Sequence, residues 1–149
     1  DVESANDMYE ECIRLFPSMD STILCAAVAD FTPESTADEK IKRHDDDLLI
    51  HLKPTHDIAA ELGKMKKRTQ TLVGFALETS NELANAKGKL QRKNFDFIVL
   101  NSLQDEGAGF RTDTNKITIV SSKSIKEYPL KPKKEVAKDI VDNLKAVHN

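Results

Sequence analysis

"TLVGFALETSNELANAKGKLQRKNFDFIVLN", residues 71–101, decides the fold. It opens on one apolar strand, TLVGFAL, and closes on another, FDFIVLN. Between them Ser80 is placed to cap a helix from about Asn81 to Arg92. A strand, a helix and a second strand in that order make two parallel strands joined by a crossover.

The same grammar extends outward in both directions. TILCAAV, residues 22–28, reads as a strand apolar on both faces, which suits a parallel sheet covered by helices. Ahead of it, Val2 reads as a strand tail, and Ser4 with Asp7 resembles a capping box. Ala5, Met8, Tyr9, Cys12 and Phe16 then share one helical face until Pro17 ends the helix. A long polar connection runs from Ala29 to about Arg43, and loops of that length are often functional. DLLIHLK, residues 47–53, alternates as a strand, and Thr55 is a plausible N-cap for a helix with Ile58, Leu62 and Met65 inside. Beyond residue 101, SLQDEGAGFRTDTN reads as a mobile loop, KITIVSS as a strand and YPLKPK as an irregular connection. The last helix presents Val136, Ala137, Ile140, Val141, Leu144 and Val147 on one side. Alternating strands and helices indicate one α/β domain, residues 1–149, with a mainly parallel sheet.

Composition narrows the function classes. With 39% apolar and 32% charged residues and a formal net charge of −3, no global field favours nucleic acid or an anionic membrane. Aromatics make up only 5%, so stacking platforms for nucleic acid are scarce, and GKMKKR (63–68) reads as a solvated helix end. No apolar run approaches the roughly 18 residues of a spanning helix, and residues 1–12 lack the signature of a signal peptide. Cys12 and Cys25 read as reduced core thiols of a cytoplasmic protein, and neither they nor the four histidines have metal-ligand spacing.

In open parallel sheets ligands bind beyond the carboxyl ends of the strands. Three strands end in polar or permissive sequence: Asp30 after CAAVA, Gly74-Phe75-Ala76 within TLVGFAL, and Asn101 after FIVL. Lys89 and Lys93, four residues apart, share a helical face, an arrangement that is unfavourable unless an anion separates them. Together with Lys40 they would cage a triphosphate. The N–H groups opening the helix at Thr55-His56-Asp57-Ile58 suit a nucleotide base or ribose. On spacing alone the lysines are more often a solvated face and Thr55 an ordinary cap, and Asp30 is equally a loop-capping carboxylate. No GxGxxG, P-loop or nucleophile elbow occurs.

AAVADFTP with EKIKR, then PTHDI, LVGFALET, AKGKLQRKNFDFIVLN and KKEVAKDIVDNL, in this order and spacing, resemble phosphopantothenoylcysteine synthetase. The resemblance is to the synthetase portion of the bacterial bifunctional decarboxylase/synthetase of coenzyme A biosynthesis, and it runs from about Val2 to the last helix. It implies a Rossmann-like three-layer fold truncated at its N-terminus. It also implies a ligase joining 4′-phosphopantothenate to L-cysteine. CTP activates the carboxylate as an acyl-cytidylate with Mg²⁺ assistance, releasing pyrophosphate, and the cysteine amine then displaces CMP. Carried over by motif, the nucleotide contacts are Leu24, Cys25, Ala26, Asp30, Lys40, Thr55, His56, Asp57, Ile58, Phe75, Lys89 and Lys93, with Lys40 as the catalytic charge. No metal ligand is assigned.

The family's first βα unit, with its glycine-rich segment, and the FMN-dependent decarboxylase domain have no counterpart here. The isolated chain is therefore expected to bind CTP weakly and to turn over little. Phe31-Thr32-Pro33 stands where the family usually has a bulkier aromatic followed by Arg and Pro. The resemblance further implies a homodimer, with Gly107 to Pro129 as a candidate contact region. A non-catalytic nucleotide-binding or regulatory module on the same fold would use the same lysines.

Overall fold

Residues 71–101 supply the strand–helix–strand unit, and the other elements assemble around it. The computed structural model describes residues 1–43, 47–78, 81–102 and 112–147. In chain order the elements are α1 (Ala5–Leu15), β1 (Ser21–Leu24), β2 (Phe31–Pro33), β3 (Leu52–Pro54) and α2 (Ile58–Met65). They continue with β4 (Thr71–Glu78), α3 (Glu82–Arg92), β5 (Phe97–Ser102), β6 (Thr114–Ser121), β7 (Ile125–Pro132) and α4 (Lys133–Val147).

The main sheet has the order β1-β4-β5-β6-β7. Its first three strands are parallel, with Leu24 opposite Gly74 and Val73 opposite Phe97. Two antiparallel strands, β6 and β7, extend it through a tight turn in which the Ser121 hydroxyl accepts the Ser124 N–H at 3.0 Å. Period-two alternation sends Val73, Phe97, Val99, Ile117 and Ile119 to one face, under Val136 and Ile140 of α4. Ala76, Ile98, Leu100 and Val120 go to the other, under Ala86 and Leu90 of α3. Leu72 joins Phe16, Ile58 and Leu62 beneath α1 and α2. Each fully buried Leu, Ile, Val or Phe contributes about 1.5–3 kcal/mol. Helices on both faces explain why the strands read as continuous apolar runs, and the three-layer, Rossmann-like expectation holds.

The capping box also forms: the Ser4 hydroxyl accepts the Asp7 N–H at 3.1 Å, and the Asp7 carboxylate accepts the Ser4 N–H at 2.9 Å. That backbone N–H, with the Ser4 hydroxyl and the Glu3 N–H, holds the Asp7 carboxyl below its usual range. Pro17 sits in the 3₁₀ turn Phe16–Ser18 that closes α1.

Several local expectations need correction. TILCAAV pairs only as far as Leu24. From Cys25 the chain leaves the sheet, and Ala26, Val28 and Ala29 border a cavity, with Val28 also packed against the cluster beneath α1 and α2. The long polar connection contains β2, which pairs antiparallel with β3 in a separate ribbon. Of DLLIHLK only Leu52 and Lys53 belong to that ribbon, and Leu48 to Ile50 are exposed outside it. YPLKPK is not irregular; it forms most of β7, where an edge position tolerates Pro129 and Pro132. Val2 precedes the cap of α1 in no strand. Cys12 is half-buried, which together with Glu11 pushes its thiol pKa up, whereas Cys25 is exposed and not a core thiol. The expected Ser80 cap and residues 103–111 of the expected loop lie outside the described residues. So do Gly107 to Arg111 of the candidate dimer region.

Candidate functional site

β1 and β4 run parallel, but β1 stops at Leu24 opposite Gly74 while β4 continues to Glu78, and the chain leaving β1 turns away toward the ribbon. This opens a cavity of about 230 Å³ at the carboxyl edge of the sheet, the position expected for a ligand site in an open α/β fold. Leu24, Gly74, Phe75 and Ile98 contribute from the strands, and Ala26, Val28, Ala29 and Asp30 from the segment after β1. Thr55 to Ala59 line it at the start of α2, Lys89, Lys93 and Phe95 at the end of α3, and Met8 from α1.

The start of α2 is fastened to the segment after β1. The Thr55 hydroxyl donates to the Ala29 carbonyl at 2.7 Å, and the Thr55 N–H donates to the Asp30 carbonyl at 3.0 Å. The N-cap is therefore Asp57, not Thr55; its carboxylate accepts the Ala60 N–H at 3.1 Å. The His56 ring stacks on Tyr9 of α1, with centroids 4.3 Å apart and planes 17° apart. Such stacking fixes the imidazole at the rim of the cavity.

The lysine end is anchored more heavily. Lys93 Nζ donates to Asp57 Oδ1 at 3.0 Å. Burial pushes the Asp57 carboxyl up, but the Lys93 ammonium and the N–H groups of Ala60 and Ala59 outweigh it, so Asp57 lies below its usual range. Just beyond α3, Asn94 adopts a left-handed conformation (φ 52°) that asparagine tolerates at helix ends. Its side-chain amide donates to the Gly63 carbonyl at 2.8 Å. Lys66 donates to the Asn94 carbonyl at 2.6 Å and to Asp96 Oδ2 at 2.9 Å, and the same carboxylate oxygen accepts the Leu72 N–H at 2.7 Å. These bonds tie the last turn of α2, the end of α3 and the start of β4 together, which sets the height of Lys89 and Lys93 above the sheet.

Ten of the twelve residues singled out in the sequence line this one cavity: Leu24, Ala26, Asp30, Thr55, His56, Asp57, Ile58, Phe75, Lys89 and Lys93. Cys25 is exposed between two lining residues, and Lys40 is exposed on the connection between β2 and β3, outside the lining. Asn101, the third strand end, bonds through its side-chain oxygen to Asn115 at 3.1 Å, away from the cavity. Sequence reasoning missed Met8, Val28, Ala29, Ala59, Phe95 and Ile98. Phe95 left one usable signal: Asn94 is a helix-stop residue, and the aromatic after it folds back over Gly74.

The family model for the DNA/pantothenate metabolism flavoprotein C-terminal domain matches residues 1–147. A protein of an unknown prokaryotic organism, named cysteine/cysteine sulfinic acid decarboxylase, is 58% identical over 142 residues, covering 95% of this chain and 40% of that protein. The coenzyme A biosynthesis bifunctional protein CoaBC of Bacillus subtilis is 43% identical over 147 residues, covering 98% of this chain and 36% of that protein. The chain thus spans about two fifths or less of the length of these relatives. Among solved structures, the C-terminal domain of a CoaBC protein superposes with a TM-score of 0.79 at 37% identity, covering 98% of this chain and 63% of that one. A DNA/pantothenate metabolism flavoprotein from Streptococcus pneumoniae shares the fold, with a TM-score of 0.77 at 20% identity over the whole chain and 70% of that one. A match over nearly every residue, together with the shared fold, places the chain in the DNA/pantothenate metabolism flavoprotein C-terminal domain family.

Proposed function

We propose that the cavity binds CTP and that the chain is the nucleotide-binding part of a phosphopantothenate–cysteine ligase. One observation carries the reading: Asp30, the first turn of α2, Lys89 and Lys93 line a single cavity where β1 ends against β4. Resemblance to the coenzyme A biosynthesis proteins supports the substrate assignment. In this reading the 4′-phosphopantothenate carboxylate attacks the α-phosphorus of CTP, forming the acyl-cytidylate and expelling pyrophosphate. The cysteine amine then attacks the acyl carbon, and CMP leaves with the bonding pair.

The first step brings one anion onto another, so it needs concentrated positive charge rather than a general base. Lys89 and Lys93 meet the phosphates, and Lys40 adds a third charge from the β2–β3 connection. Phe75 packs against the nucleoside, and the backbone N–H groups of His56 and Asp57, between the internally bonded Thr55 and Ile58, hold its polar edge. Mg²⁺, when bound, neutralises phosphate charge. Among the described residues no three His, Cys, Asp or Glu side chains cluster to hold a metal. An ion carried mainly by the phosphates would find two carboxylates among the lining residues, Asp30 and Asp57, and Asp57 is already bonded to Lys93. FMN would belong to a separate decarboxylase domain. The protein would act in the cytoplasm as a homodimer; among the described residues no helix is long and apolar enough to cross a membrane.

A chimera tests the reading. This chain, exchanged for the matching 147 residues of the Bacillus subtilis protein, is expected to sustain pyrophosphate release that requires CTP, phosphopantothenate and cysteine together. A folded chimera that binds CTP yet releases no pyrophosphate would favour the non-catalytic module.

A further inference from the structure

Asp57 is an unusual neighbour for a polyphosphate. Its Oδ1 accepts from two donors, the Ala60 N–H at 3.1 Å and the Lys93 ammonium at 3.0 Å. The first bond caps the start of α2; the second reaches across to the end of α3. Asp57 and Lys93 line the same cavity as Lys89. Any phosphate that takes up Lys93 must therefore share the amine with a carboxylate or displace it.

We propose that Asp57 is a built-in competitor of the polyphosphate: it holds Lys93 in place when the cavity is empty and weakens the grip on phosphate when it is full. The proposal rests on the nucleotide reading above and adds a role for Asp57 that a direct ligand contact would not give. The competition is one of charge. Lys93 is only 26% exposed and Asp57 52% exposed, so the pair is partly shielded from water at the cavity wall. There a like charge beside a bound phosphate is felt more strongly than on an open surface. The carboxyl lies below its usual range, which keeps it ionised at neutral pH. A ligase that releases pyrophosphate benefits from this, because a cage of lysines alone would hold its product too well.

Asn at this position separates charge from geometry. Asparagine caps helices about as well as aspartate and keeps an acceptor oxygen for Lys93, but carries no charge. Asp57→Asn is therefore expected to bind inorganic pyrophosphate and CTP about three- to tenfold more tightly than the wild type, measured by isothermal titration at low salt. The gain should shrink as salt is raised, and it should largely vanish in a Lys93→Gln background, because it is expressed through that amine. A merely structural role for Asp57 predicts no such dependence on Lys93. If wild type binds and Asp57→Asn binds equally or less tightly, the competitor role is wrong and the nucleotide reading survives. If neither protein binds pyrophosphate or CTP, the nucleotide reading itself falls. Should Asp57→Asn fail to fold, Asp57→Ser, which also caps, takes its place with the same expected direction.

Discussion

Alanine in place of Gly63 is expected to destabilise the protein by about 3 kcal/mol, the upper range for forcing an extra methyl group into a packed site. Helix propensity alone predicts the opposite sign, since glycine in a helix interior costs about 1 kcal/mol relative to alanine. The geometry decides between them. A Cβ on Gly63 would lie 2.1 Å from the Lys93 carbonyl oxygen and 2.8 Å from its carbon. Those are backbone atoms, held by the bonds of Asn94 to Gly63 and of Lys66 to Asn94 and Asp96. They cannot give way without moving the end of α3. A thermal melt should show a midpoint lowered by roughly 10 °C, at about 2–4 °C per kcal/mol for a chain of this size. Gly88→Ala is the control. Its Cβ meets the flexible end of Arg92 at 3.0 Å, so the ordinary helix gain should appear. A Gly63→Ala protein as stable as wild type would mean that α2 and α3 do not approach as described.

The second large effect concerns charge. Lys89→Ala/Lys93→Ala is expected to lower CTP affinity about a hundredfold, since a hydrogen bond to a charged group contributes roughly 1.5–3 kcal/mol. Both residues line the cavity. The Lys66 anchor is untouched, so the melting midpoint should move little. Isothermal titration with CTP, the wild type alongside, measures it; an affinity within threefold of wild type would remove the lysines from the site.

How much of this was legible in the sequence depended on what each residue answers to. The β4–α3–β5 unit was readable because every level agreed: apolar strands, a charged amphipathic helix and a parallel crossover. Lys89 and Lys93 were readable because helical spacing is fixed, so a four-residue interval is also a shared direction. The ribbon was not readable. Its pairing of Phe31 with Pro54 joins residues too far apart for local pattern to connect, and Leu48 to Ile50 look like strand core while standing outside the sheet. The cap of α2 went to Asp57 because Thr55 is occupied by Ala29 and Asp30, a tertiary bond invisible to a local rule. Phe95 was missed for the same reason: it completes the cavity only because Gly74, on β4, leaves room for its ring.

CTP is expected to bind where β1, β4, α2 and α3 meet. At 149 residues the chain suits residue-by-residue amide NMR, and a CTP titration followed this way shows which residues the nucleotide meets. The largest shifts are expected at residues 24–30, 55–59, 74–75 and 89–95, with residues 125–147 unmoved. Shifts concentrated on β7 and α4, or none at millimolar CTP, would contradict binding there.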